Sequence, residues 1–560
     1  MDTNGVASPD LGLGAEDDYR IDQSQFAFEP RKLRVVCIGA GFAGLFLAHK
    51  LKHERPLDFV DFTIYEKNSE VGGTWLENVY PGVACDIPAH GYQFPFAPNP
   101  AWSKFYVGGA EIQRYITNTA DKHGLRENVT FNTKLVKAIW DEEQGKWKLE
   151  LEQGGQIVQD EAHVLINGSG ILNKWKWPEI EGIESFGGTL LHTARWDPKC
   201  DWTGKKVAVI GNGSSALQVV PAIQPKCAKL VNYIRNPTWV SINLCADVTK
   251  DGMGTNFTFT EEEIKQFESN PDEYHKYRKR VEQSINSVYS LMLSGSEANE
   301  FVFNLVDGIM RKRLEKNPHL IEKLIPKYEI GCRRLSPGDG YLEALQEENA
   351  DISFNGIKRI TKNGIVTDEG EEQFDIIVCA TGFNNTFIPL WEMAGQDGRR
   401  LDVEWKETPQ AYFSICAAGI PNYFMFTGPN CPIGHGSVHN MLGWTADYML
   451  DWIEKIAQED IKSTVVKDQV VHQYNRFARE SLSLTVWSKG CQSWYKGGKG
   501  GDSPVTVMYP GSALHYKAAI KTIRGEHFNI KYNTTNPFRC LGNGRLAFEV
   551  RENADLAFYM

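Results

Sequence analysis

Residues 33–52 read LRVVCIGAGFAGLFLAHKLK. An apolar run, a glycine turn and a second apolar run at helical spacing form a strand–turn–helix unit. The bend is Gly39-Ala40-Gly41-Phe42-Ala43-Gly44. Gly39 allows the tight turn, Gly41 lets the backbone approach a pyrophosphate, and Gly44 lets the helix pack on the strand. The free N–H groups at the helix start then meet the phosphates. A second strand is expected to end at Glu66, 22 residues after Gly44, where a carboxylate suits a pair of ribose hydroxyls.

The same unit recurs at 205–222, KKVAVIGNGSSALQVVPA, with Gly211-Asn212-Gly213-Ser214-Ser215-Ala216 at the bend. Its second strand ends in LVNYIRNP, which offers Arg235 and no acid. A guanidinium suits a 2′-phosphate, and the missing carboxylate removes a repulsion. The competing reading of Arg235 is an exposed surface arginine. The first turn therefore expects a nucleotide with free ribose hydroxyls and the second expects NADPH. Apolar strands at 163–170 and 375–383 close the two units. Between them, 258–330 reads as a helical insertion that opens on a capping box, Thr260 with Glu263.

The expected fold class is α/β, with two Rossmann-like dinucleotide-binding domains. Residues 31–170 and 385–560 form the first, FAD-binding domain, and 171–384 form the NADPH-binding domain with its insertion at about 258–330. Residues 1–30 read as a flexible arm, polar and acidic, neither a secretory signal nor an anchor.

Composition narrows the function. The 560 residues carry 60 basic and 71 acidic side chains, a net charge of −11, which gives no general attraction to nucleic acid or anionic membranes. No run approaches 18 apolar residues, so membrane insertion is not expected. The 11 cysteines are odd in number and none has C-x-x-C spacing. That disfavours a disulfide framework, a zinc or other metal site, and a thioredoxin-like motif, and it fits a reducing, cytoplasmic setting. Two nucleotide sites in one chain suggest a flavin reduced by NADPH. A disulfide reductase needs a close cysteine pair near its flavin, and none is expected. Oxygen activation is the better fit.

Residues 186–197, FGGTLLHTARWD, resemble the F-x-G-x-x-x-H-x-x-x-W-[PD] fingerprint of type I Baeyer–Villiger monooxygenases, through Phe186, Gly188, His192 and Trp196. Residues 72–86, GGTWLENVYPGVACD, are similar to that family's second signature, and CATGF (379–383) and SWYKGGKGG (493–501) are similar to further family segments. The resemblance covers roughly 33–530 and points to a fungal-type member. It implies a bound FAD, NADPH as reductant, and O2-dependent conversion of ketones to esters or lactones through a C4a-peroxyflavin. The small-molecule partners are then a ketone and O2. The rival activity is N- or S-oxygenation, which Trp196 argues against; a non-catalytic NADPH-sensing protein is the rival from another class.

The family's residues carry over by motif. In Gly331-Cys332-Arg333-Arg334 the second arginine takes the catalytic position, oriented by Asp86, and Arg333 helps hold the 2′-phosphate where the family often has lysine. An arginine with a pKa above about 12 favours a peroxide anion and cannot act as an acid. The implied FAD residues are Gly39, Gly41, Ala43, Gly44, Glu66, Thr74, Trp75, Asp86, Tyr92, Val136 and Met441; core packing is the competing reading for Trp75 and for Met441. The implied NADP residues are Gly211, Asn212, Gly213, Ser214, Ser215, Ala216, Gln218, Arg235, Asn236, Arg333 and Trp494. His192 and Trp196 read as a linker or core pair that aligns the domains, rather than as a proton shuttle.

Overall fold

The computed structural model describes residues 19–241, 243–497 and 503–560. Residues 1–18 of the expected arm and 498–501 of the SWYKGGKGG segment lie outside the described residues.

The first unit opens with β1 (Leu33–Ile38), α1 (Phe42–His49), β2 (Val60–Tyr65), β3 (Val129–Thr130) and β4 (Val164–Asn167). The second holds β5 (Thr189–His192), β6 (Lys206–Ile210), α2 (Ser214–Ile223), β7 (Lys229–Tyr233), β8 (Ala350–Ser353) and β9 (Ile376–Cys379). The chain then returns to the first sheet as β10 (Tyr423–Met425). The two five-stranded sheets run 10-4-1-2-3 and 8-7-6-9-5, every pairing parallel. In both, the strand before the glycine turn is central. Its residues are buried almost without a break, as expected for a parallel strand covered on both faces.

Gly39 and Gly211 are matched in backbone as well as in motif. Gly39 has φ +105° and a Cβ there would meet the Gly168 carbonyl at 2.8 Å; Gly211 has φ +117° and would meet that of Ala380 at 2.5 Å. Each turn is therefore pressed against the residue just past the neighbouring strand on the side away from the crossover, β4 in the first unit and β9 in the second. Only glycine fits both the conformation and the space.

A three-stranded antiparallel meander, Thr133–Asp141, Lys146–Gln153 and Gln156–Ala162, packs beside the first sheet. The insertion between β7 and β8 is helical: Glu261–Ser269, Pro271–Ser287 and Glu297–Arg313. Thr260 and Glu263 form the expected reciprocal capping box. The insertion also touches the first unit. Val281 and Ile285 share a core with Phe105 and Tyr106, and Tyr274 Oη donates to the Asn99 carbonyl at 2.5 Å.

Three local expectations change. His192 is not in a linker; it ends β5, an edge strand paired in register with β9. Fingerprint residues read along the chain do not reveal that pairing, which is made 187 positions later with Cys379. The described end of the arm is fixed: Ala27 N–H and Phe28 N–H donate to the Arg545 and Cys540 carbonyls. Finally, Trp487, Tyr495 and Met508, from the stretch 385–560 expected in the first domain, join the core of the second unit around β6 and α2.

Candidate active site

One cavity of about 540 Å³ runs between the two units. Its first end is the α1 turn, where Gly39, Gly41 and Ala43 line it. The α1 N-cap is Gly41, which has no side chain to satisfy the first helical N–H groups. They are left for an anion. A Cβ on Gly41 would point at Gly73 Cα from 3.6 Å and fill the gap between the two glycine segments.

Glu66 lies one residue past β2, only 4% exposed, and lines the same end. Its carboxylate accepts from Ala40 N–H and Asn68 N–H, each at 2.8 Å. Burial raises its pKa above the ordinary range, and these two backbone donors pull it back. The backbone thus aims the carboxylate, and its remaining lone pairs can take ribose hydroxyls. Thr74, Trp75 and Tyr92 also line the cavity; the Trp75 indole donates to Tyr92 Oη at 3.1 Å, which fixes both rings. Gly44 sits behind the turn, where a Cβ would collide with the Gly39 carbonyl. Val136 and Met441 do not line the cavity; their neighbours Leu135 and Leu442 do. Met441 is 2% exposed and belongs to the packed interior.

At the second turn, Ser214, Ser215 and Gln218 line the cavity, while Gly211, Asn212, Gly213, Ala216, Arg235 and Asn236 lie outside its wall. Gln218 bridges the units: it accepts from Tyr80 Oη at 2.7 Å and donates to the Ala84 carbonyl at 3.0 Å. Asn212 donates to the Asn236 carbonyl at 2.7 Å, which ties the turn to the end of the second strand. Arg235 is exposed there and makes no hydrogen bond or ion pair with any described residue.

The arginine pair lies between the two turns. Arg334 donates Nε and Nη2 to the two oxygens of Asp86, at 2.9 and 2.7 Å. The partners are 248 residues apart and come from different units, and both line the cavity. Asp86's charge raises the Arg334 pKa further above its ordinary value, overriding the burial that would lower it. The guanidinium therefore stays charged, with donors that Asp86 does not occupy. Arg333 also lines the cavity but has other partners: Nε donates to the Gln492 carbonyl at 2.7 Å and the guanidinium lies over the Tyr328 ring at 5.5 Å.

One expectation fails outright. Cys332 and Cys491, 159 residues apart, form a disulfide beside the arginine pair. Sequence spacing detects only close pairs, and the fold makes this one. The other nine cysteines are free. No group of three or more His, Cys, Asp and Glu suited to a metal occurs among the described residues.

His192 is fully buried and accepts from Ala194 N–H at 3.1 Å through Nδ1. Its ring stacks on Trp175, 4.9 Å between centroids. Burial lowers its pKa to about 4, so it is a neutral strand residue away from the cavity. Phe186 and Gly188 precede it on the same approach, and Trp196 packs against Trp202.

The remaining wall escaped the motifs. The insertion supplies Ile285, Val288 and Met292, and later segments supply Ile433, His435, Val438 and Trp487. The helix formers of 271–287 are legible in sequence, but which face meets the cavity depends on tertiary packing.

The NAD(P)-binding Rossmann-like domain family matches residues 37–107. The chain is 63% identical over 543 residues to the FAD-binding monooxygenase tazF of Aspergillus terreus, spanning 97% of both chains. It is 34% identical over 534 residues to a Baeyer–Villiger monooxygenase of Pseudomonas aeruginosa, covering 94% of this chain and 95% of that one. In fold it is similar to cyclohexanone monooxygenase from Rhodococcus sp. Phi1 bound to NADP+, with TM-score 0.77, 23% identity, and coverage of 90% of this chain and 100% of that one. Two glycine turns opening on one cavity, with a charged arginine between them, accord with these likenesses, and the chain belongs to the family of FAD-binding monooxygenases that includes the Baeyer–Villiger monooxygenases.

Proposed function

We propose that this flavin monooxygenase carries out NADPH- and O2-dependent Baeyer–Villiger oxidation, converting ketones to esters or lactones. The observation that carries the reading is the two-point Arg334–Asp86 pair in the cavity that both glycine turns reach. The residues at the first turn fit FAD: uncapped helix N–H groups, a glycine cradle, and a carboxylate positioned by two backbone donors. Gly39, Gly41, Ala43 and Glu66 would hold its pyrophosphate and ribose, with Thr74, Trp75 and Tyr92 nearby. Ser214, Ser215, Gln218 and Arg333 would hold NADPH, with Arg235 at its 2′-phosphate and Trp494 beside it. Bound there, FAD would supply hydride acceptance from NADPH and the activation of dioxygen.

The chain's own contribution is electrostatic. Attack on a ketone carbonyl places negative charge on the carbonyl oxygen. Arg334 offers that oxygen a permanent cation and free N–H donors, in place before the charge develops. It cannot deliver a proton to the oxidant, which favours nucleophilic attack on carbon over transfer to sulfur or nitrogen. Asp86 fixes the plane of the guanidinium and offsets part of its charge. The apolar side chains from the insertion exclude water and accept the ketone's hydrocarbon. Nine free cysteines support a reducing, cytoplasmic setting, and no described helix is long and apolar enough to cross a membrane. The test is a panel of ketones incubated with FAD-loaded protein, NADPH and air. Ester or lactone by mass spectrometry, with ketone-dependent NADPH oxidation, is the expected result. A panel that yields only sulfoxides or N-oxides from added thioethers and amines refutes the reading.

A further inference from the structure

We infer that the Cys332–Cys491 disulfide is a positioning strut that keeps Arg334 and the Trp494 segment in register across the cavity; this rests on the role proposed above for Arg334. Arg334 leaves a stretch with almost no regular structure, between the short helix Ile321–Leu324 and the two-residue strand Ser336–Pro337. Asp86 holds only the guanidinium end of the residue. The nearest covalent anchor for its backbone is two positions earlier, at Cys332, which is fully buried. Cys491, 4% exposed, starts the segment that carries Trp494 and Tyr495 into the cavity wall.

Ile330 and Leu335 share an apolar core with Val486, Trp487 and Tyr495, which packs the two segments together without fixing their register covalently. Between the segments, Arg333 Nε also donates to the Gln492 carbonyl at 2.7 Å. The disulfide is the one covalent tie between the two segments among the described residues. Both segments face the cavity, so slippage between them displaces the arginine pair relative to Trp494. Because both cysteines are buried, soluble thiols reach the sulfurs only slowly in the folded protein, and the bond resists a reducing setting.

The test uses the full-length, FAD-loaded protein. Alkylation with iodoacetamide under denaturing conditions without reductant, read by intact mass, is expected to label nine cysteines; eleven labels overturn the strut. Cys491→Ser and the double variant Cys332→Ser/Cys491→Ser are then compared with the unmutated enzyme. Displacement of a catalytic group by about 1 Å costs on the order of 10²-fold, so ester formed per NADPH is expected to fall roughly ten- to a hundred-fold. Anaerobic flavin bleaching by NADPH is expected to fall by a smaller factor than ester yield, and hydrogen peroxide release without ketone is expected to rise. Unchanged ester yield and peroxide release in variants with full FAD content overturn the proposal. Should the variants lose FAD, the unmutated protein is reduced with dithiothreitol and its thiols counted. Coupling that falls as labels rise and recovers on reoxidation supports the strut; full coupling in the reduced protein overturns it. Peroxide release without ketone scores the strut even if no ketone is oxidised, whereas failure of the unmutated enzyme to make any ester counts against the functional reading alone.

Discussion

Glu66 does two jobs with one carboxylate. It satisfies Ala40 N–H and Asn68 N–H, and its remaining lone pairs face the cavity. Charge-assisted hydrogen bonds are worth about 1.5–3 kcal/mol each. Glu66→Ala is expected to weaken FAD binding by roughly 10- to 100-fold, measured by titrating apoprotein with FAD and following flavin fluorescence; unchanged affinity removes Glu66 from the ribose. Arg235 is the opposite case, exposed and uncommitted at the end of the second unit's second strand. Arg235→Ala is expected to raise the KM for NADPH by on the order of 10- to 100-fold and to leave that for NADH nearly unchanged. A parallel rise for both would mean that Arg235 does not read the phosphate. These residues were legible in sequence because a glycine turn fixes the spacing to the next strand end. Tyr80 and the Cys332–Cys491 pair were not, since each acts through a partner more than 130 positions away.

At the level of elements, local rules carried furthest where the contacts are local. The Thr260–Glu263 capping box lies within four residues and forms as its sequence predicts. It starts a helix with no buried residue, so its contribution separates cleanly from the cavity. Thr260→Ala is expected to lower stability by about 1 kcal/mol, seen as a lower thermal midpoint, with kcat unchanged; a loss of kcat would show that the cap also positions the insertion's cavity face. The neighbouring helix Pro271–Ser287 marks where such reading stops. Its helical character is visible in composition, but the contact of Val281 and Ile285 with Phe105 and Tyr106 is set by packing across units. β5 stopped the reading in the same way: four residues that pass for linker become strand because β9 supplies their hydrogen bonds.

Across the whole molecule, burial has a measurable consequence in acid. His90 and His439 are held down to about 3, and His192 and His435 to about 4, in each case chiefly by burial. Their unfolded value is about 6.5. Between these limits the unfolded chain binds more protons than the folded one, so the stability of the neutral, buried forms is present above about pH 6.5 and is lost as pH falls toward about 4. Each group contributes a slope of about 1.4 kcal/mol per pH unit in that window. The thermal midpoint is expected to drop steadily from pH 7 to pH 5, and a flat profile would contradict four buried neutral imidazoles. The proposed chemistry turns on what the two units bring together, a cation from one and its carboxylate from the other. Arg334→Ala tests that most directly, in a paired measurement on the FAD-loaded protein: anaerobic bleaching of the flavin by NADPH in a stopped-flow instrument, and ester yield from a ketone in air. Removing one preorganised electrostatic donor typically costs about 10²–10³-fold. The prediction is ester yield reduced by at least about that factor, with bleaching retained and NADPH consumption diverted to hydrogen peroxide. Ester yield near that of the unmutated enzyme would contradict it.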